Sequence, residues 1–137
     1  MMKDIVLKGH KGAPGKVEGK ALVCHQSINW VASVDLDGNI VDESNDLYGK
    51  NVKDSILVFP DFMGTTASGM KLYDLIYHGS APKGIVITKA DSVTLAPSVL
   101  GNVPLVHNFS QDPVKIIKTG DTIIVNGDEG TVTVKKS

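Results

Sequence analysis

Seven short runs rich in valine and isoleucine, each closed off by glycine or a turn-forming residue, constrain this chain more than any other feature. They are Asp4–Lys8, Val17–Cys24, Ser55–Phe59, Gly84–Thr88, Leu105–His107, Asp121–Val125 and Gly130–Lys135. Side chains branched at Cβ pack well on a pleated surface and lose rotamer freedom in a helix, so these runs read as strands. The 14 glycines are spread along the whole chain, which suits short strands joined by tight turns. Near the end, DTIIVNGDEGTVTV (121–134) sets Asn126-Gly127 and Asp128-Glu129-Gly130 between alternating segments, the pattern of a hairpin. VDLDGNIVD (34–42) alternates around Asp37-Gly38 and reads as a second hairpin.

One segment has helical periodicity. After ILVFP the chain runs DFMGTTASGMKLYDLIYHGSAP, where Met70, Leu72, Tyr73, Leu75, Ile76 and Tyr77 recur at the spacing of an apolar helix stripe. Thr65 or Thr66 can cap its start, and Gly79 followed by Pro82 marks its end. A shorter helical turn is expected at Ser92–Leu100, its length limited by Pro97. Strand, helix and strand over 55–88 make one βαβ unit with parallel strands. With antiparallel hairpins around it, the expected fold is a mixed, β-rich α/β sheet or barrel with one main helix and short flanking helices. No repeat, low-complexity stretch or linker divides the 137 residues, so one domain over 1–137 is expected.

Charge narrows the partners. Fourteen basic residues against fifteen acidic ones give a net charge of -1, which argues against a nucleic acid as the main partner. All fourteen are lysines, so the chain lacks the planar fork with which arginine holds a carboxylate or phosphate by two bonds. An anionic substrate would have to be met by backbone N–H groups, by lysine, or by a partner's arginine. Cys24 is the single cysteine and cannot form an internal disulfide or hold a zinc or iron–sulfur site alone. The opening MMKDIVLKGHKG lacks the apolar centre of a signal peptide, and no apolar run reaches membrane-spanning length. A soluble, cytoplasmic protein is the expectation.

The strongest chemical candidate is the loop Pro60-Asp61-Phe62-Met63-Gly64-Thr65-Thr66-Ala67-Ser68-Gly69, which joins a buried strand to a helix N-terminus. Ligands collect at such junctions because the first N–H groups of the helix have no internal partner and its dipole favours negative charge. A simpler reading has Thr65 and Thr66 only capping the helix. The GxxxxGK[ST] spacing of a phosphate-binding loop is absent.

Other candidates read more simply as structure. Asp35, Asp37 and Asn39 alternate, but the glycine is misplaced for a calcium loop, and a solvated turn is expected. Glu18 reads as a surface position on an alternating strand. His107, at a strand end, is a candidate proton shuttle or a packed histidine. Cys24-His25 could bind a metal only with donors from elsewhere, and Trp30 marks a core or an interface. No Ser/His/Asp set, carboxylate pair or metal-ligand cluster is complete, so a catalytic role would draw most of its apparatus from another polypeptide.

Taken in order, VEGKALV (17–23), VDLDGNIVD, LYGKNVKDSILVFP (47–60), the glycine and hydroxyl loop before LYDL, SAPKGIVI, NVPLV and TGDTIIVNGDEGTVTV resemble the small swivel subunit of the aconitase X family over about residues 4–135. The resemblance implies a swivelling β/β/α domain and the small subunit of a two-subunit hydro-lyase. It implies that a large catalytic subunit carries an iron–sulfur cluster or metal and that this chain holds no cofactor. It further implies that a hydroxyl in the helix-initiating loop takes a proton from the substrate. Aligned through LYDL, Thr65 stands where the family carries that serine, and Met63 stands where it carries a basic residue. The expected site is therefore Thr65 as the catalytic hydroxyl, with Gly64, Thr66 and Ser68 binding the substrate anion. The substrate would be a small hydroxy acid, (R)-5-phosphomevalonate or a hydroxyproline.

Two other readings stay open. One is a non-catalytic binding module that kept the swivel fold. The other is a phosphoryl-shuttling swivel domain using His10, which would need KGHKGAPG to be an exposed glycine-rich loop.

Overall fold

A single glycine separates two strands that end on opposite sides of the sheet. In the computed structural model of the chain, described over residues 4–62, 66–90 and 92–135, β1 (Ile5–Lys8) pairs antiparallel with β8 (Thr131–Val134). Just beyond Gly9, β2 (His10–Ala13) pairs antiparallel with β6 (Leu105–His107). The full order is β1-β8-β7-β3-β4-β5-β6-β2, with β3 (Lys16–Val23), β4 (Ile56–Phe59), β5 (Gly84–Ile87) and β7 (Thr122–Asn126) inside it. Because one residue links the two outer strands, the strip folds back on itself and its edges are tied together. Only glycine fits that corner. Its N–H donates to the Gly130 carbonyl at 2.8 Å, and a Cβ there would lie 2.7 Å from the His107 carbonyl oxygen.

β3 belongs to both halves of the strip. Lys16–Lys20 pair antiparallel with β7, whereas Ala21–Val23 pair parallel with β4, which continues parallel to β5 and β6. The parallel half is covered on both faces. Ile56, Val58, Val86 and Val106 pack against Ile123, Val125, Val132 and Val134 of the antiparallel half. Their neighbours Leu57, Phe59, Ile85, Ile87 and Leu105 pack against Leu72 and Leu75 on the other side. This two-sided burial explains why ILVF and GIVI are unbroken apolar runs, while TIIVN and TVTV, with one face wet, alternate. Each such aliphatic side chain contributes about 1.5–3 kcal/mol on burial.

The third layer is helical. α1 (Trp30–Ser33) is capped by Asn29, whose side chain accepts from the Val31 and Ala32 N–H groups. α2 (Thr66–His78) follows β4, and α3 (Ser92–Leu100) follows β5. A fourth, single-turn helix, α4 (Pro113–Ile116), starts at the Asp112 cap. α2 ends in a Schellman motif: Ser80 N–H bonds the Leu75 carbonyl, Gly79 N–H bonds that of Ile76, and Gly79 has φ +84°. α3 ends in the same way, with Asn102 in the left-handed position and Val103 N–H on the Ser98 carbonyl.

Four readings change. The stripe read on α2 is half right: Leu72 and Leu75 are buried and Ile76 packs against the core, but Met70, Tyr73 and Tyr77 point to solvent, Tyr77 being 87% exposed. VDLDGNIVD turns at Gly38 (φ +88°), yet its flanks meet only in an isolated Val34–Ile40 bridge, because both residues leave the ribbon for the core. KGHKGAPG is not a glycine-rich loop; it contains β2, with His10 in register with His107. Pro97 lies inside α3, which runs the full length of Ser92–Leu100.

Candidate functional site

The βαβ arrangement brings the C-terminal ends of β4, β5 and β6 to one edge, and α2 and α3 start from that same edge. The parallel ladder runs on past the regular strands. Cys24 N–H donates to the Val58 carbonyl and Ile28 N–H to that of Asp61, while Ile28 and Phe62 form a parallel bridge. On the other side, Thr88 N–H donates to the Phe59 carbonyl, Lys89 N–H to that of Pro60, and Asn108 N–H to that of Thr88. The Ser27 hydroxyl donates to Asp61 Oδ1. Pro60, Asp61 and Phe62 are thus clamped from both flanks before the chain turns into α2.

Gly64 and Thr65, with Met63, lie outside the described residues. Thr66 is the first residue of α2 and Ser68 lies in its first turn; their side chains also lie outside what is described. No acidic residue occupies that first turn, so no carboxylate within it offsets the partial positive charge of the helix start. The exposed Lys89 supplies a cation at the same edge. A first helical turn with hydroxyl residues and no acidic one suits an anionic ligand.

β3 ends at this edge in a polar network that local sequence did not reveal. Cys24 is fully buried; its thiol donates to Asp46 Oδ1 at 3.1 Å and approaches the Gln26 carbonyl at 3.3 Å. Burial first, and then the Asp46 carboxylate, push the thiol up to about 12, so it is a neutral donor and not a nucleophile. Asp46 Oδ2 accepts the His25 backbone N–H and lies 3.0 Å from His25 Nδ1. Gln26 accepts from the Asp46 N–H and donates to the Ser44 carbonyl, which ties 42–46 to the end of β3. The Asp46 carboxyl is held below its ordinary value by hydrogen bonds from Cys24 and His25, against the opposing effect of burial.

The remaining candidates separate by position. Trp30 is 0% exposed and meets Phe59 edge-on at 5.9 Å, with no acceptor for its indole N–H, so it is core. His107 closes β6 at the same strand-end edge; its ring stands edge-on to His10 at 6.0 Å, and its buried Nδ1 has no partner. Glu18 is exposed on β3, as expected of a surface position. Asp35 accepts from the Asp37 and Asn39 N–H groups, which makes it a turn residue. Among the described residues, no three histidine, cysteine or carboxylate side chains converge on a point where a metal ion would sit. Among the described residues, no helix is long and apolar enough to cross a membrane.

A strip of sheet folded into two layers, with helices that start from the strand-end edge of the parallel half, defines a swivel-type β/β/α domain. The chain belongs to the aconitase X swivel domain family, whose model matches residues 6–134. It is 35% identical to the phosphomevalonate dehydratase small subunit of Methanocella arvoryzae over 92% of this chain and 96% of that protein. It is 37% identical to the small subunit of the same name from Methanocaldococcus jannaschii over 93% of this chain and 96% of that one. In three dimensions it matches a chain of Thermococcus kodakaraensis aconitase X, in its holo form, with a TM-score of 0.91 and 29% identity over 96% of this chain and 99% of that one.

Proposed function

We propose that this chain is the small subunit of a two-subunit aconitase-X-type hydro-lyase that dehydrates (R)-5-phosphomevalonate in the mevalonate pathway. One observation carries the reading: near-complete, two-way coverage of proteins named phosphomevalonate dehydratase small subunit, joined to a fold in which, among the described residues, no metal-ligating cluster occurs. The same coverage favours phosphomevalonate over a hydroxyproline.

In this reading the large subunit brings the iron–sulfur cluster or metal, which supplies Lewis acidity at the departing hydroxyl. This chain closes the cleft with its strand-end edge. Dehydration takes a proton and a hydroxyl from adjacent carbons and leaves a double bond and water. Thr65, the residue that precedes α2 in the chain, is the hydroxyl that takes the proton. Gly64, Thr66 and Ser68 present backbone N–H and hydroxyl donors to the substrate anion. With no arginine in the chain, a phosphate group is held by those donors, by Lys89 or by the partner.

The test is co-expression with a large subunit, followed by assay of purified complex on (R)-5-phosphomevalonate and cis-3-hydroxy-L-proline. The expected result is turnover of the phosphomevalonate by the complex and by neither chain alone. A complex inert toward it, or this chain active unaided, contradicts the reading.

A further inference from the structure

Beside the end of β3 the structure holds a cavity of about 370 Å³ that no step above uses. Most of the residues around it carry polar side chains, Gln26, Ser27, Ser33, Asp42, Ser44 and Asn45 among them, and about half of its surface is carbon. These side chains are already fixed by one another. Ser44 Oγ and N–H donate to Asp42 Oδ1, Ser33 Oγ reaches Asp42 Oδ2 at 3.4 Å, Asn45 Oδ1 accepts the Leu47 N–H, and Gln26 spans to Ser44 and Asp46. A wall so preorganised needs no rearrangement to receive a guest.

The charge is one-sided. Asp42 is the ionisable residue among those lining the cavity, and no lysine lines it. Glu43, Asp46 and Asp61 stand nearby in the chain or through Ser27, with His25 beside Asp46. Hydrogen bonds from Ser44, then Ser33, hold the Asp42 carboxyl below its ordinary value. A site rich in acceptors around one fixed negative charge repels an anionic substrate and suits a long cationic side chain, for which carboxylate and hydroxyl oxygens are the natural partners. Position selects the source of that cation. Ser27 lines the cavity and also donates to Asp61, in the segment that leads to the hydroxyl loop. A protein that covers Asp61 and this strand-end edge therefore also meets the cavity.

We propose that this cavity is a docking socket for a lysine or arginine side chain of the large subunit, an inference that rests on the two-subunit reading above. The experiment measures binding of the large subunit to immobilised small subunit at 50 and 300 mM NaCl, concentrations set at roughly a Debye length of 14 and 6 Å. Asp42→Asn keeps the shape and removes the charge; Ala32→Arg, on the cavity rim, leaves Asp42 in place and fills the socket with this chain's own cation. Both are expected to weaken binding about tenfold or more at low salt, and Asp42→Asn to flatten the salt dependence. The thermal midpoint of the Ala32→Arg subunit, on an exposed position, is expected to be unchanged. A wild-type complex that forms while both variants bind as tightly, with the same salt dependence, overturns the socket and leaves the two-subunit reading standing. Absence of any wild-type complex overturns both.

Discussion

Asp46 and Cys24, twenty-two residues apart, share a hydrogen bond of 3.1 Å in which a buried thiol donates to a carboxylate. The pair joins the end of β3 to the 42–46 turn and makes the chain's single cysteine inert. With its pKa near 12, Cys24 in the folded subunit is expected to resist a disulfide reagent at pH 8 and to react at once in denaturant. Asp46→Ala removes a carboxylate that disfavours the thiolate, and it is expected to speed the reaction at pH 9 and to cost about 1–2 kcal/mol in urea unfolding. Equal labelling rates in the folded and unfolded protein would contradict this.

The three depressed carboxyls set the acid limit. Asp35, Asp42 and Asp46 are each held below their ordinary value of 3.8 by hydrogen bonds to the charged form. A carboxyl whose folded pKa is lowered stabilises the fold at pH values above 3.8 and loses that contribution as pH falls through the folded value. The urea midpoint is therefore expected to be flat in this respect from pH 7 to 5 and to fall below pH 4. In Asp35→Asn/Asp46→Asn the acid fall is expected to be shallower; an identical slope would count against these hydrogen bonds.

Gly127 lies where backbone meets backbone. Its N–H donates to the Gly15 carbonyl at 2.7 Å, and a Cβ would fall 1.9 Å from the Ala13 carbonyl oxygen. Gly127→Ala must push the β7–β8 turn off the β2–β3 turn, and it is expected to destabilise by about 3 kcal/mol or more. A melting temperature within 2 °C of wild type, against the several degrees roughly expected per kcal/mol, would contradict that packing.

The apolar residues of α2 divide into two kinds. Leu72, wholly buried against the sheet, is expected to cost about 2–5 kcal/mol on change to alanine. Tyr77→Ala is expected to stay within about 0.5 kcal/mol of wild type in the isolated subunit. Equal losses in chemical denaturation would show that the exposed stripe packs against something in this chain.

How much of this was legible follows from how local each signal is. The βαβ unit could be read because double-sided burial writes itself as ILVF and GIVI, and β7–β8 because wet-faced strands alternate around Asn126-Gly127. β2 could not: HKGA buries only Ala13, and it is a strand because β6 lies beside it after the strip closes at Gly9. Met70, Tyr73 and Tyr77 have helical spacing, but periodicity does not say which flank of a wide stripe meets the core. At the site, the hydroxyl loop announced itself through its composition and its place between strand and helix. Ser27 on Asp61 and Cys24 on Asp46 join segments far apart in the chain, and neither residue type at either place signals the other.

The central claim is that this chain lends a single hydroxyl to chemistry completed on another subunit. Replacing Thr65 by valine keeps the branched shape and removes only the oxygen. In the reconstituted complex, kcat for (R)-5-phosphomevalonate dehydration is expected to fall by roughly 10²–10⁴, the range for loss of a positioned proton acceptor, with assembly of the two chains unchanged; Thr65→Ser is expected to retain activity. Wild-type turnover by an intact Thr65→Val complex would contradict the account.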